Sequence, residues 1–280
     1  MQSWNKALQA APELAAIPTL INEVPLGALP LSGGLTNRCW RVLTQTYGWL
    51  VWRANSPHCQ VFDIDRHNEA NVLLSIDGQV MANRLVAHDE HGLLVTWCEG
   101  SLTTDEEPVD SLLHQLATVH AITPSLPVRE FDLSAKLDHY WFHIHDNVLK
   151  KRYKSLYETY REPPKLNHED KVLCHFDFGR HNIVKSAGKF AVIDWEYAAM
   201  ATPALDLVLT LDMLGADHEE GLDVYQQYAP VENKESFLVD MRRWQPHTEI
   251  MAMLWYVLAA EHWQDSAFLT SAEQIYQRNC

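Results

Sequence analysis

The sequence predicts an α+β protein with a small β-rich N-terminal part and a larger, mostly helical C-terminal part. Three observations predict it. In the first hundred residues, short aromatic and β-branched runs alternate with turn residues. Beyond Cys98-Glu99-Gly100, apolar residues recur at helical spacing. One crossing segment near residue 98 joins the two patterns, which sets expected domains of 1–98 and 99–280.

The runs 39–43 and 49–54 read as strands of a hairpin, because the five residues between them end in Gly48. Side chains alternate across a strand, so Trp49, Val51 and Arg53 share one face. A short helix is expected over about 63–75, and a third strand over 93–97. Past an acidic, polar stretch, Val109, Leu112, Leu113, Leu116 and Val119 mark a helix. Helical patterns continue over 133–160 and resume from about Pro246. Pro163-Pro164 makes 161–170 a loop. The apolar runs 172–174 and 190–193 read as short strands flanking another loop.

A formal net charge of −15 argues against a protein that coats DNA or RNA, which needs a basic face to displace counterions. It suits a cationic small ligand. The five cysteines are odd in number and form no C-x-x-C, so neither a disulfide framework nor a zinc knuckle is expected. No basic start precedes an apolar core, so no signal peptide is expected. The most apolar segment, 251–260, is too short to span a bilayer. A cytoplasmic protein with no membrane partner is the expectation. His139, His143 and His145 invite a metal reading, but the third histidine falls off the helix face shared by the first two.

The chemistry concentrates in His175-Phe176-Asp177-Phe178-Gly179-Arg180-His181-Asn182, followed by Asp194-Trp195-Glu196. Phosphoryl transfer from a nucleotide needs a carboxylate for the attacking hydroxyl, and oxygen ligands that hold Mg²⁺ against the phosphates. Asp177 and Asn182 lie five apart on a tight loop, and Asp194 ends an apolar strand twelve residues after Asn182. This is the H-x-D-x-x-x-x-N and D-x-x arrangement of kinases. His175 is expected to support the loop by hydrogen bonds.

These residues resemble the aminoglycoside phosphotransferase and choline kinase superfamily, and within it look most like bacterial thiamine kinases and related choline-kinase-like proteins. The resemblance implies a protein-kinase-like, two-lobed fold that uses ATP and Mg²⁺. Asp177 would be the catalytic base, with Asn182 and Asp194 as metal ligands. Ser32-Gly33-Gly34-Leu35-Thr36 stands in the family's phosphate-loop position, where a glycine turn lets backbone N–H groups approach phosphates. Arg53 stands where kinases place a phosphate-binding cation, and Glu69 is its candidate helix partner. Trp97 and Cys98 sit where the backbone would meet the nucleobase.

For the acceptor, Tyr197, Asp212, Trp255 and Trp263 are the candidate contacts, alongside Asp177. Trp255 and Trp263 lie eight apart on an expected helix, so they share a face. Aromatic faces near a carboxylate hold quaternary or aromatic cations. The acceptor is therefore read as a small cationic alcohol. Thiamine comes first, because the segment 198–206 lacks an Asn that larger choline kinases tend to carry. Choline or ethanolamine, an aminoglycoside, and a non-catalytic binding module are the alternatives. Asp206 is expected to fix the catalytic loop rather than touch substrate.

Overall fold

The computed structural model describes residues 1–31 and 39–279. The polypeptide forms two compact units that interleave in sequence. One comprises Met1–Glu106, Ile122–Val128 and Arg180–Ala198, the other Glu107–Ala121, Arg129–Gly179 and Ala199–Cys280. The sequence reading draws one boundary at residue 98; by contacts, 99–106, 122–128 and 180–198 group with the N-terminal residues.

The first unit holds a six-stranded antiparallel sheet, in the order Gln2–Ser3, Gly27–Pro30, Trp40–Leu43, Trp49–Ala54, Gly92–Thr96, Leu85–Asp89. The register pairs Trp40 with Trp52 and Val42 with Leu50. These four residues therefore share one face, with Leu94 opposite Trp52. That face packs on Trp4, Ala7, Leu14, Ile17 and Ile21 of the N-terminal helices. Trp52 is fully buried, a contribution of about 3 kcal/mol from apolar transfer. Arg41, Trp49, Val51 and Arg53 project from the opposite face. The helix Arg66–Ile76 begins at Asp65, whose carboxylate accepts the amides of His67 and Asn68.

A second hairpin in this unit pairs Ile183–Ser186 with Lys189–Val192, and Ser101–Leu102 adds a third strand. Gly100 makes that pairing possible. It has φ +142°, and a Cβ there would lie 2.4 Å from the Lys185 carbonyl oxygen.

The second unit is helical apart from the strand pair Val172–Cys174 and Ala199–Ala201. Its long helix runs Lys234–Trp263 and packs against Leu133–His143, Asn147–Tyr160, Pro203–Leu214 and Ser266–Arg278. Pro246 lies inside this helix rather than at its start. Proline removes one backbone bond. Buried Phe237, Met241 and Trp244 before it, and Ile250, Met253 and Leu254 after it, hold the helix together across the gap. The helical stretch over 133–160 is two helices, Leu133–His143 and Asn147–Tyr160. Asp146 caps the second, and Glu261 accepts the amides of His145 and Asp146, both at 2.8 Å.

Candidate functional site

In the first unit, the register places Arg53 opposite Leu93 at the end of its strand. Its guanidinium meets three carboxylates. Glu69 approaches Nε at 3.0 Å, Glu196 approaches Nη2 at 2.6 Å, and Asp194 shares Nη2. The Nε–H is not aligned on Glu69, so that contact is ionic rather than a directed hydrogen bond. Arg66, one turn before Glu69, pairs with Glu69 and, at 3.2 Å, with Glu196. Side-chain exposure is 29% for Asp194 and at most 9% for the other four groups, so Asp194 is the one that can meet a ligand.

The contacts among the described residues bring three carboxylates to two guanidiniums. Burial and the neighbouring Asp194 charge push the Glu196 carboxyl up to about 7, against the pull of both arginines. Asn182 and Asp194 flank the open end of the 183–192 hairpin, where the Ile193 amide donates to the Asn182 carbonyl at 2.9 Å. Hard oxygen donors beside a carboxylate-rich cluster fit a divalent cation such as Mg²⁺. Asp194 has φ 67°, in the left-handed region. Such a backbone persists where its surroundings hold it, and here Arg53 holds the side chain.

On the same sheet face the Arg41 guanidinium carbon lies 4.3 Å from the Trp49 ring centre and 4.0 Å from that of Trp97. Glu99 pairs with Arg41 at 3.2 Å. Trp97 is thus half-buried under a cation, a stacking interaction worth about 1 kcal/mol. Cys98 is half-buried, and burial pushes its thiol up to about 11. Tyr197 occupies the turn after Glu196 and is half-buried. Ser32, Gly33, Gly34 and Thr36 lie outside the described residues.

In the second unit, Asp177 follows the strand Val172–Cys174 and is half-exposed. Its loop is held from below by Asp206, which is fully buried in the first turn of the helix Pro203–Leu214. Asp206 Oδ2 accepts the His175 amide and Oδ1 accepts the Phe176 amide, both at 2.8 Å. His120 Nε2 lies 3.0 Å from Oδ2. Burial alone would raise the Asp206 carboxyl. The His120 and amide hydrogen bonds outweigh it and hold the group below its ordinary value, as a carboxylate. Phe176 has φ 67°, so the residue before Asp177 is also in the left-handed region. His175 is fully buried, and its Nδ1 accepts the Asp177 amide at 3.3 Å, the loop-supporting contact expected of it.

His120, Cys174 and Asp206 bring metal-ligand atoms within 4.8 Å of one another. These atoms are already satisfied by the protein. Cys174 donates to the Ala201 carbonyl at 3.5 Å, and both ring nitrogens of His120 are hydrogen-bonded. The cluster is a hydrogen-bonded hub. Among the described residues, His139, His143 and His145 form no such grouping.

This unit also holds the acceptor candidates Trp255, Trp263 and Asp212. Trp255 and Trp263 have ring centres 6.0 Å apart, and Phe268 lies 6.0 Å from the first and 5.5 Å from the second. Both tryptophans are half-exposed. Asp212 is exposed and binds His218 Nε2 at 2.8 Å.

The sequence profile of the phosphotransferase enzyme family matches residues 27–246. The chain belongs to this family. The phosphotransferase carries the protein-kinase-like arrangement of a β-sheet N-terminal region and a helical C-terminal region, and its class is that of a small-molecule kinase. Solved structures share its fold. An ethanolamine kinase of Plasmodium vivax has a TM-score of 0.70 at 18% identity, covering 98% of this chain and 88% of that one. The choline kinase LicA from Streptococcus pneumoniae has a TM-score of 0.70 at 19% identity, covering 96% and 98%. The gentamicin complex of APH(2")-IIa has a TM-score of 0.67 at 14% identity, covering 95% of each chain. No curated protein matches the sequence. The phosphotransferase thus falls in the aminoglycoside phosphotransferase and choline kinase superfamily that its motifs resemble.

Sequence reasoning assigned no role to Arg66, Glu196, His120 or Tyr225. The first two had a signal. Arg66 and Glu69 are spaced for one helix face, and Glu196 alternates with Asp194. His120 ends a helix that reads as core, and nothing local marks it.

The hub yields a testable stability effect. Asp206→Asn is expected to lower the unfolding free energy by about 2–3 kcal/mol at pH 7, as charge-assisted bonds are lost. Because the folded carboxyl lies below the unfolded value of about 3.9, its stabilisation is complete above that pH and fades below it. Denaturant unfolding should therefore show the gap to wild type narrowing as pH falls from 5 towards 3. A constant gap contradicts the assignment.

Proposed function

We propose that this phosphotransferase transfers the γ-phosphoryl group of ATP to the hydroxyl of a small cationic alcohol, with thiamine as the first candidate. The observation that carries the reading is the pair Asn182 and Asp194 at the open end of one hairpin, with Asp194 partly exposed beside the buried Glu196 carboxyl. Asn182 and Asp194 would hold Mg²⁺, which offsets phosphate charge when bound. Arg53, kept protonated by Asp194, Glu69 and Glu196 against its own burial, serves the phosphates and is oriented by Glu69. Asp177 accepts the proton of the acceptor hydroxyl as its oxygen bonds to the γ-phosphorus and the bond to the bridging oxygen of ADP breaks. Ser32, Gly33, Gly34 and Thr36 contact phosphates, while Trp97 and Cys98 flank the base. Residues 1–98 serve as the nucleotide lobe and 99–280 as the catalytic and acceptor lobe.

Support for a cationic acceptor comes from the half-exposed Trp255, Trp263 and Phe268 rings, with Tyr197 and Asp212 as further contacts. Glu261 is not the counter-charge, because both its oxygens accept backbone amides. A second reading, choline or ethanolamine as acceptor, is favoured by the kinases that share the fold. No helix among the described residues is long and apolar enough to cross a membrane, which accords with a cytoplasmic site of action.

An ADP-release panel with thiamine, choline, ethanolamine and kanamycin tests the reading. Turnover with thiamine is expected. Turnover with kanamycin alone overturns the single-cation acceptor, and binding without ADP release from any acceptor points to a non-catalytic module. Trp263→Ala should raise the KM of the accepted alcohol about tenfold and leave the ATP KM within twofold, the scale of one lost cation–π contact. Equal effects on both KM values contradict a place for Trp263 in the acceptor site.

A further inference from the structure

The helix His218–Tyr225 is seated tightly on the helix Pro203–Leu214, because a Cβ at Gly221 would lie 2.3 Å from Leu211 Cδ2. One turn later, on the same face, Tyr225 is 2% exposed. Its hydroxyl lies 2.6 Å from His120 Nδ1, and the two rings meet edge to face with centres 5.6 Å apart.

The direction of each hydrogen bond follows from charge. Asp206 is a carboxylate and only accepts, so His120 carries its proton on Nε2 and donates there. In the neutral imidazole Nδ1 has the lone pair, and the Tyr225 O–H donates to it. Burial raises the phenol above its ordinary range, which keeps that proton in place. A chain of bonds therefore runs from Tyr225 through His120 to Asp206, and from Asp206 to the amides of His175 and Phe176. Its last link is the left-handed residue adjoining Asp177.

We infer that Tyr225 is a positioning residue for phosphoryl transfer, acting through His120 and Asp206 on the backbone that presents Asp177. This rests on the reading of Asp177 as the base. Without the hydroxyl, the buried His120 Nδ1 lacks its hydrogen-bond partner, and the imidazole loses the bond that holds its ring plane. A left-handed Phe176 depends on outside restraint, so the loosening passes to the loop. Transfer rates depend steeply on placement of the base.

Tyr225→Phe in the full-length chain tests this, since it removes one oxygen and keeps the ring packing. Amide hydrogen exchange in a peptide spanning 172–178 is expected to rise about tenfold, with a control peptide over 85–96 unchanged. With the alcohol accepted in the panel above, kcat should fall about tenfold while both KM values stay within twofold. In a His120→Phe background the Tyr225→Phe change should have no further effect on kcat. An unchanged kcat overturns the proposal, as does a uniform rise in exchange across both peptides. If Asp177→Asn retains full turnover, the reading of Asp177 falls, whereas the exchange result still reports on the link from Tyr225 to the loop.

Discussion

Asp177→Asn should lower kcat by about a thousandfold, the range in which a positioned general base contributes. Asn keeps the shape and removes the capacity to take a proton. The loop should survive the change. The backbone contacts around this residue, the amide to His175 Nδ1 and the carbonyl to the Gly179 amide, do not involve its carboxylate. Asp206 still holds His175 and Phe176. The expected pattern is therefore a collapse of kcat with an ATP KM within a few-fold of wild type, and a Tm within about 2 °C. Steady-state ADP release and a thermal melt check it together. Retention of more than a tenth of wild-type kcat in a folded variant removes Asp177 from the chemistry.

The second large effect concerns Arg53. Its guanidinium faces Glu69, Asp194 and Glu196 at once, and Arg66 shares Glu69 and Glu196. Arg53→Ala leaves buried carboxylates without their main cation, and breaking a buried pair from one side costs about 3–5 kcal/mol. Arg53→Lys keeps the charge, but a point charge on a flexible stem cannot meet three carboxylates in fork geometry. It should fall between alanine and wild type in denaturant stability and lose activity in both backgrounds. A lysine variant with wild-type stability and turnover would show that the fork is dispensable. Glu69→Gln offers a milder comparison, since it removes one partner and one of the charges that push the Glu196 carboxyl up.

Much of the candidate site is legible because its residues are close in sequence. Asn182 and Asp194 flank one hairpin, and short-range spacing dictates that geometry. Arg53 and Glu69 can be paired in advance because the kinase pattern the motifs resemble sets a strand cation against a helix carboxylate. The hub was harder to foresee. Asp206 stands out in the motif, but His120 lies on a different helix 86 residues earlier. Tyr225 is 105 residues from His120, with a phenol indistinguishable in sequence from any other buried tyrosine. The long helix through Pro246 was placed late because proline disfavours helix interiors, and packing on both sides overrode that preference.

By itself the sequence determined the α+β class, the first hairpin with Trp49, Val51 and Arg53 on one face, and the phosphotransferase motif. These depend on local periodicity and spacing, which every segment carries with it. Only the tertiary structure decided that Glu196 and Arg66 join Arg53 in one buried ionic cluster, and that Tyr225 and His120 stand behind the Asp177 loop. Such contacts form between segments far apart in the chain. Which polar groups meet is settled by the demand that each buried charge or donor find a partner, a condition no single segment expresses.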